Sequence, residues 1–539
     1  MLSWLTEHYL TALLALPLVF ALWVAVTPSI EGDADNARRF HTIGIVGTVI
    51  TFLFSAWAWN GGSVSLHEKM AWLPSLGISY ALGADGLSLT LVILTTFLML
   101  MAVIASFSSI TKRLKLYYSL LFILSTALIG VFTARDAFLF FLFYELELIP
   151  MYLLIAIWGG ANRQYAATKF VLYTLFGSVF ILAGIFGAFW ALSQHHVNSQ
   201  ELFLFDNLKE TLPHIGLAAQ LAIFIPLFVG FAVKLPVVPF HTWLPDAHVE
   251  APTPVSMLLA GILLKMGGYG MIRLCYDWLP GAAVAAGPWI GLLAVINIVY
   301  TAGIALVQKD LKKLIAYSSV SHMGFVLLGL IALNPAGFNG AVFVMFAHGI
   351  VSAALFMCVG VVYLRTHTRQ IAEMGGLATP MPAVFFFFLF TCMASLGLPF
   401  LISFASETMV FYGAFTSQAF QWMGHVLGMG ITWNMQIVTI ISALGVVIGA
   451  AYLLWMMKRV FFGPVSERWA GLNDLTFSEV IVLTSLSVLV VVYGFQPLRL
   501  TQRFEPWVTA MTLQYQHLTP QPVMRSAQGV ATHLAALVH

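Results

Sequence analysis

The sequence predicts an all-α polytopic membrane protein with about fourteen transmembrane helices. Composition is the first reason: 60% of the 539 residues are hydrophobic and only 9% are charged, against roughly 25% charged in soluble domains. The second is that apolar stretches of spanning length, about 20 residues each, begin near Tyr9, Phe40, Ser88, Leu116, Ala137, Phe170, Leu217, Pro254, Trp289, Leu314, Ala341, Ala383, Met435 and Val480. These fill nearly the whole chain and leave no room for a soluble catalytic domain. The net charge of +2 is too small to suggest a nucleic-acid partner.

The stretch at Tyr9 reads as a retained span. Glu7 is the only formal side-chain charge before it, and no small-residue cleavage site follows, so it lacks the marks of a signal peptide. With fourteen spans, the loops after odd-numbered spans share one side and hold fifteen basic residues, from Arg38 and Arg39 through Lys112, Arg163, Lys169 and Lys312 to Arg468. The other side has seven, including Arg135, Arg273 and, in the tail, Arg525, while Lys234 and Lys265 fall inside spans. That bias places the basic loops in the cytoplasm or its equivalent and both termini opposite. Cys275, Cys358 and Cys392 are scattered, with no Cys-x-x-Cys or Cys/His spacing for iron-sulfur, zinc or haem. No Gly-rich phosphate loop occurs either.

Prolines interrupt the seventh span at Leu235-Pro-Val-Val-Pro-Phe-His-Thr-Trp-Leu-Pro and the twelfth at Gly397-Leu-Pro-Phe-Leu-Ile-Ser-Phe. Helix breaks at membrane depth survive only where the freed backbone is buried in protein or lines a hydrated cavity. The two breaks lie five spans apart, which predicts two copies of a five-helix unit inverted relative to each other: about 114–277 and 286–461, with 462–539 the last span and tail. The whole chain, 1–539, is expected to be one transmembrane domain.

Ionisable residues inside apolar spans are functional-site candidates by default. Glu145 lies in Phe140-Phe-Leu-Phe-Tyr-Glu-Leu-Glu, and Lys234 is its natural partner. Loosening such a pair changes the proton affinity of both members, so a proton could pass to Lys265, which small residues surround. His322 and His348, which titrate near neutrality when unperturbed, would carry it on, with Ser318 beside the first. Glu407, eight residues after Pro399, would be the last acid before release opposite the basic loops. His241 in the break and Glu147, expected on a different helix face from Glu145, are secondary candidates. Each also has a plainer reading: a Glu–Lys pair can simply lock two helices, and a buried His can be a packing residue. Asp136 beside Arg135 reads as a helix start near the membrane surface.

The segments Phe143-Tyr-Glu-Leu-Glu-Leu-Ile-Pro-Met-Tyr, Val233-Lys-Leu-Pro-Val-Val-Pro-Phe-His-Thr-Trp-Leu-Pro-Asp-Ala-His, Leu263-Leu-Lys-Met-Gly-Gly-Tyr-Gly and Ser318-Ser-Val-Ser-His-Met-Gly resemble the antiporter-like subunits of respiratory complex I and its photosynthetic relatives. The resemblance runs from about Ser88 to Arg459 and is nearest the chain 4 branch, the NuoM/NdhD type, in part because the twelfth span carries Glu407. Trp158-Gly-Gly-Ala-Asn-Arg-Gln-Tyr looks like the cyanobacterial and plastid form. The resemblance implies one proton channel in which Glu145 and Lys234 couple, Lys265 relays, His322 and His348 continue the path and Glu407 is the exit. It also implies sister antiporter-like subunits and lipids as partners, a thylakoid or bacterial inner membrane, and no cofactor in this chain. Quinone, iron-sulfur clusters and the NAD(P)H or ferredoxin donor would belong to other subunits. One departure is Phe400-Leu-Ile-Ser-Phe after Pro399, where the family usually has small residues. Bulk there could narrow the exit and mark a specialised isoform, such as those of cyanobacterial carbon dioxide uptake complexes, or it could be neutral drift. The alternative to the redox-linked reading is a subunit of an Mrp-type cation/proton antiporter.

Overall fold

A computed structural model describes residues 6–29, 34–62, 64–194, 201–426 and 429–518. Arg525 and the rest of the expected tail beyond 518 lie outside them. Among the described residues, thirteen helices are long and apolar enough to cross a membrane. The fourteenth crossing is the twelfth in order, split into Pro382–Ser395 and Ile402–Thr416.

The spans in chain order are Tyr9–Val26, Asn36–Trp59, Gly86–Ser109, Leu114–Thr133, Ala137–Trp158, Arg163–Ser193, Leu217–Lys234, Thr253–Tyr276, Pro280–Leu306, Leu311–Leu330, Pro335–Thr366, the split twelfth, Met435–Phe461 and Phe477–Phe495. The sixth and ninth start earlier than hydropathy suggests, at Arg163 and Pro280. A 31-residue helix is about 46 Å long and outruns a ~30 Å hydrocarbon core, so its polar first turns are helical yet invisible to an apolar window. Arg163 and Lys169 therefore sit on the sixth helix, not in a loop. Asp136 does start a helix: its carboxylate accepts from the Phe138 and Leu139 amides.

The eighth and eleventh spans form the buried spine, wrapped by protein along their apolar windows. Small residues let them meet, since a side chain at Gly349 would strike the Gly261 carbonyl oxygen at 2.9 Å. The eighth span is not uniform: π-helical turns at Leu259–Leu263 and Met271–Tyr276 flank an α segment, Leu264–Gly270. Outer spans such as Phe477–Phe495 bury only one side and present apolar residues outward.

Two antiparallel hairpins, His67–Leu73 with Ile78–Gly83 and Gln421–Val426 with Met429–Asn434, each follow an even-numbered span. Successive crossings put both on the face opposite the basic loops. On that face Asp85 caps the third span and binds Arg273 at 2.5 Å and Arg135 at 3.0 Å. Burial alone would push the Asp85 carboxyl up; the two guanidiniums overcome this and hold it well below the usual carboxylate range. Trp507, on the amphipathic helix Leu498–Leu513, covers the Arg273 guanidinium at 4.5 Å. The last described helix is thereby tied to the third and eighth spans.

Candidate functional site

The seventh span ends at Lys234, and a second helical piece resumes at Trp243–Glu250. Between them Pro236 and Pro239 supply no amide hydrogens, and the carbonyls of the last turn need donors. Asn297 of the ninth span meets that need: its carboxamide oxygen accepts from the Val238 amide at 2.8 Å, and its nitrogen donates to the carbonyls of Val320 at 2.9 Å and Pro236 at 3.4 Å. Trp243 donates its indole N–H to the Val233 carbonyl at 2.9 Å. The break is thus satisfied by protein, and the lysine stands at a helix C-terminus, where a cation is favoured.

Lys234 is ion-paired, but its partner is Glu147 and not Glu145. Glu147 does lie on a different helix face from Glu145, and it is the Glu147 face that turns toward Lys234. The fifth span stays helical through Glu147, at φ -68° and ψ -24°, and its inward face carries Glu147, which is fully buried. The lysine ammonium also lies 5.6 Å from the Tyr144 ring centroid and 5.3 Å from that of Phe170. Glu145 is half-buried against Ser178 of the sixth span, close enough for Lys234 to act on it electrostatically.

Lys265 is fully buried on the eighth span, directly after the π turn. Its ammonium donates to the Ala260 carbonyl at 2.5 Å, five residues back, and meets His348 Nδ1 at 2.7 Å. π turns often occur at functional sites, and here one leaves a carbonyl facing the lysine. Gly267 brings this helix onto the seventh-span break, for a side chain there would hit the Leu235 amide nitrogen at 2.6 Å.

From Lys265 the chain of groups continues. The His348 and His322 rings are 5.7 Å apart between centroids, and His322 Nδ1 lies 3.4 Å from Glu407 Oε1 while its Nε2 faces the Ser395 hydroxyl at 3.3 Å. A small cavity of about 10 Å³ lies among them, lined by both histidines, Ser318, Ser352, Ser406 and Glu407 together with apolar side chains such as Val344 and Leu355. Ser318 donates to the Ile315 carbonyl at 2.7 Å and lies against Tyr452. His241 stands apart, near Tyr317 across the break at 6.2 Å between ring centroids.

The run after Pro399 reaches this cavity through Ser403, and its bulky Phe400 does not line it. Phe400 points outward, stacked on Phe495 at 5.2 Å, while Leu401 and Ile402 are buried just ahead of Ser403, which lines the cavity. Phe400 adopts φ 71°, a left-handed conformation that costs a non-glycine residue about 1–3 kcal/mol. The Phe400 side chain therefore adds no bulk to the cavity lining.

Sequence reasoning missed His248 and its surroundings. Its ring is fully buried, stacked on Phe356 at 4.3 Å, with neither nitrogen hydrogen-bonded, and it feels the charges of Lys265 and Lys312. Lys312, expected in a loop, is buried in the first turn of the tenth span and donates to the Ala251 carbonyl at 2.5 Å. No hydropathy signal marks a neutral imidazole in a short Trp-Leu-Pro-Asp-Ala-His segment; only its place on the second half of a broken helix does.

Two broken spans packed around a buried series of lysine, histidine and glutamate define an antiporter-like membrane subunit. Comparisons with known proteins agree. The family model described as NADH:quinone oxidoreductase/Mrp antiporter, TM matches residues 134–432, and the one for the amino terminus of NADH-ubiquinone oxidoreductase chain 4 matches 40–131. NAD(P)H-quinone oxidoreductase chain 4 1 of Picosynechococcus sp. is 40% identical over 98% of both chains, and that of Synechococcus elongatus 42% identical over 95% of this chain and 93% of its own. A chain in the structure of respiratory complex I from Thermus thermophilus with bound NADH superposes with TM-score 0.78 at 27% identity, covering 94% of this chain and 99% of that one. A chain of the Mrp complex from Dietzia sp. gives TM-score 0.76 at 21% identity, covering 94% of this chain and 52% of that one, a likeness of fold alone. The chain belongs to the NADH:quinone oxidoreductase/Mrp antiporter membrane family, on its chain 4 branch.

Proposed function

We propose that this chain is a proton-translocating membrane-arm subunit of an NAD(P)H or ferredoxin:quinone oxidoreductase, with sister antiporter-like subunits and lipids as neighbours. The observation that carries the reading is the unbroken series Lys265, His348, His322, Glu407, in which each neighbour is within hydrogen-bond, ion-pair or ring-contact reach. Ionisable groups in a span are costly and persist where they serve a pathway. In the proposed order, the seventh-span lysine controls the charge felt by Lys265, His348 and His322 pass the proton, Ser318 lines the wet segment and Glu407 releases it. Lys312 and His248 form the approach from the basic side, and His241 flanks the break.

The chain itself supplies residues for proton movement, and quinone, iron-sulfur clusters and the electron donor belong to other subunits. Repeats at about 114–277 and 286–461, inverted in the membrane, would account for the two breaks. The cyanobacterial relatives favour a thylakoid membrane over a bacterial inner membrane, with the chain ends opposite the basic loops. The carbon dioxide uptake isoform gains no support from Phe400, which faces away from the exit cavity. The Mrp-type reading shares the fold, but the chains of Picosynechococcus, Synechococcus elongatus and Acaryochloris marina, at 39–42% identity, are named as quinone oxidoreductase chains. The test is Lys234→Met in the assembled complex: loss of redox-driven vesicle acidification is expected. Full acidification would leave the chain a structural subunit, and sodium-dependent exchange without redox chemistry would favour the Mrp reading.

A further inference from the structure

Lys112, Arg113 and Arg163 stand around one cavity on the basic face. It has a volume of about 590 Å³ and lies between the turn joining the third and fourth spans and the turn joining the fifth and sixth. That is a size typical of ligand sites, roughly 300–1,000 Å³. The lining carries these three cations and no carboxylate. Among the described residues none of the three forms an ion pair, whereas Lys169, Lys313, Arg365 and Arg369 on the same face each pair with an acid. Arg163 donates only within its own turn, to the Gly159 carbonyl at 3.3 Å. Glu250 does not serve as their counter-ion: its carboxylate accepts from the Asn162 amide at 2.9 Å and lines an adjoining cavity. Like charges gathered at one cleft make it attractive to an anion.

We propose that this cleft seats the phosphate headgroup of an anionic membrane lipid. The lining is graded as a lipid requires. Ile110, Ala156, Ile157 and Trp158, at the ends of the third and fifth spans, are apolar, while Thr111, Gln164 and the three cations carry donors. Such a gradient matches the junction of acyl chain and headgroup, where tryptophan is enriched and basic pockets between helices hold anionic lipids. The guanidiniums of Arg113 and Arg163 offer forked donors to phosphate oxygens, and Lys112 adds a compact charge. The fourth and sixth spans both begin at the cleft, and neither has a side chain capping its first turn, so the positive ends of two helices add to the field. The walls are fixed to each other: the Trp158 indole donates to the Lys112 carbonyl at 2.8 Å, and its ring meets Tyr117 edge to face at 5.2 Å. This site is independent of the proton route, since none of its lining residues borders the cavity at His322 and Glu407 or bonds to Lys234 or Lys265.

The test is photo-crosslinking of the complete complex in phosphatidylcholine vesicles that contain a trace of photoreactive phosphatidylglycerol, with the labelled peptides mapped by mass spectrometry. Labelling is expected within 109–113 and 156–164, about tenfold or more above that from a matching phosphatidylcholine probe. Lys112→Gln, Arg113→Gln and Arg163→Gln should each lower it about fivefold and the triple variant about a hundredfold, while Arg113→Lys and Arg163→Lys, which keep the charge, retain most of it. The three side chains are exposed, so these variants should assemble on native gels and pump as the wild type does. Where the triple variant fails to assemble, the three single variants decide. Excess inorganic phosphate should not displace the probe. Equal labelling by the two probes, or undiminished labelling in the variants, would overturn the proposal. Displacement by inorganic phosphate would make this a soluble-anion site instead, and an unlabelled wild type would mean that a neighbouring subunit covers the cleft; either result overturns the lipid assignment.

Discussion

The two broken spans hold charge in opposite ways. Around the seventh, Lys234 is clamped by an ion pair, aromatic rings and a break held by Asn297 and Trp243. Around the twelfth, Glu407 and His322 face a small, serine-bearing cavity with room for about one water and stand at 3.4 Å, looser than a tight ion pair. A clamped charge stores electrostatic energy that a rearrangement can release, while loosely held groups beside space for water exchange protons readily. The first region is built as a switch and the second as a conduit, with Lys265 between them.

That contrast is open to graded attack. The largest effect should come from Glu407→Gln, which removes the exit acid: proton flux through this chain is expected to fall about a hundredfold, measured as the quenching rate of a pH-sensitive dye in vesicles, with assembly unchanged. His322→Ala should cost about tenfold, since water in the cavity can partly replace an imidazole; rescue by added imidazole would confirm proton transfer over packing. Asp85→Asn tests stability away from either region. Breaking a buried pair costs 3–5 kcal/mol, and because the Asp85 side chain is 25% exposed about 2–3 kcal/mol is expected, read as a lower melting temperature with pumping retained.

The same residue sets a pH dependence. Its folded carboxyl titrates below its unfolded value, so its stabilisation is present above the unfolded carboxylate range near pH 4 and is lost only as pH falls further toward the folded value. Melting of the wild type should therefore be insensitive to this residue between neutrality and about pH 5, and the gap to Asp85→Asn should close only in stronger acid. Smallest of all, Ser395→Ala removes a 3.3 Å contact to His322 and should change flux by no more than about twofold.

The sequence was most legible where chemistry and surroundings clash. Lys234, Lys265, His322, His348 and Glu407 stand out because charged or titratable groups do not belong in apolar runs, and the structure places the last four in one series. The breaks were legible too, through proline. The partner of Lys234 was not, because Glu145 and Glu147 lie on different faces of the fifth helix and the sequence does not say which face turns toward the lysine. Asn297 and His248 escaped for another reason: neutral polar side chains are unremarkable in a sequence, and only the folded chain reveals that one fills a broken backbone and the other sits unpartnered between two lysines. Phe400 was illegible in the opposite sense, since its bulk drew notice in the sequence while its side chain faces outward in the structure.

The central claim is that buried ionisable groups on the eighth, tenth, eleventh and twelfth spans form one proton route, and Lys265→Met interrupts it at its midpoint. The decisive measurement is the proton-to-electron ratio of the assembled Lys265→Met complex in sealed vesicles. The account predicts a ratio lowered by at least this chain's share while the complex still assembles; an unchanged ratio would contradict it.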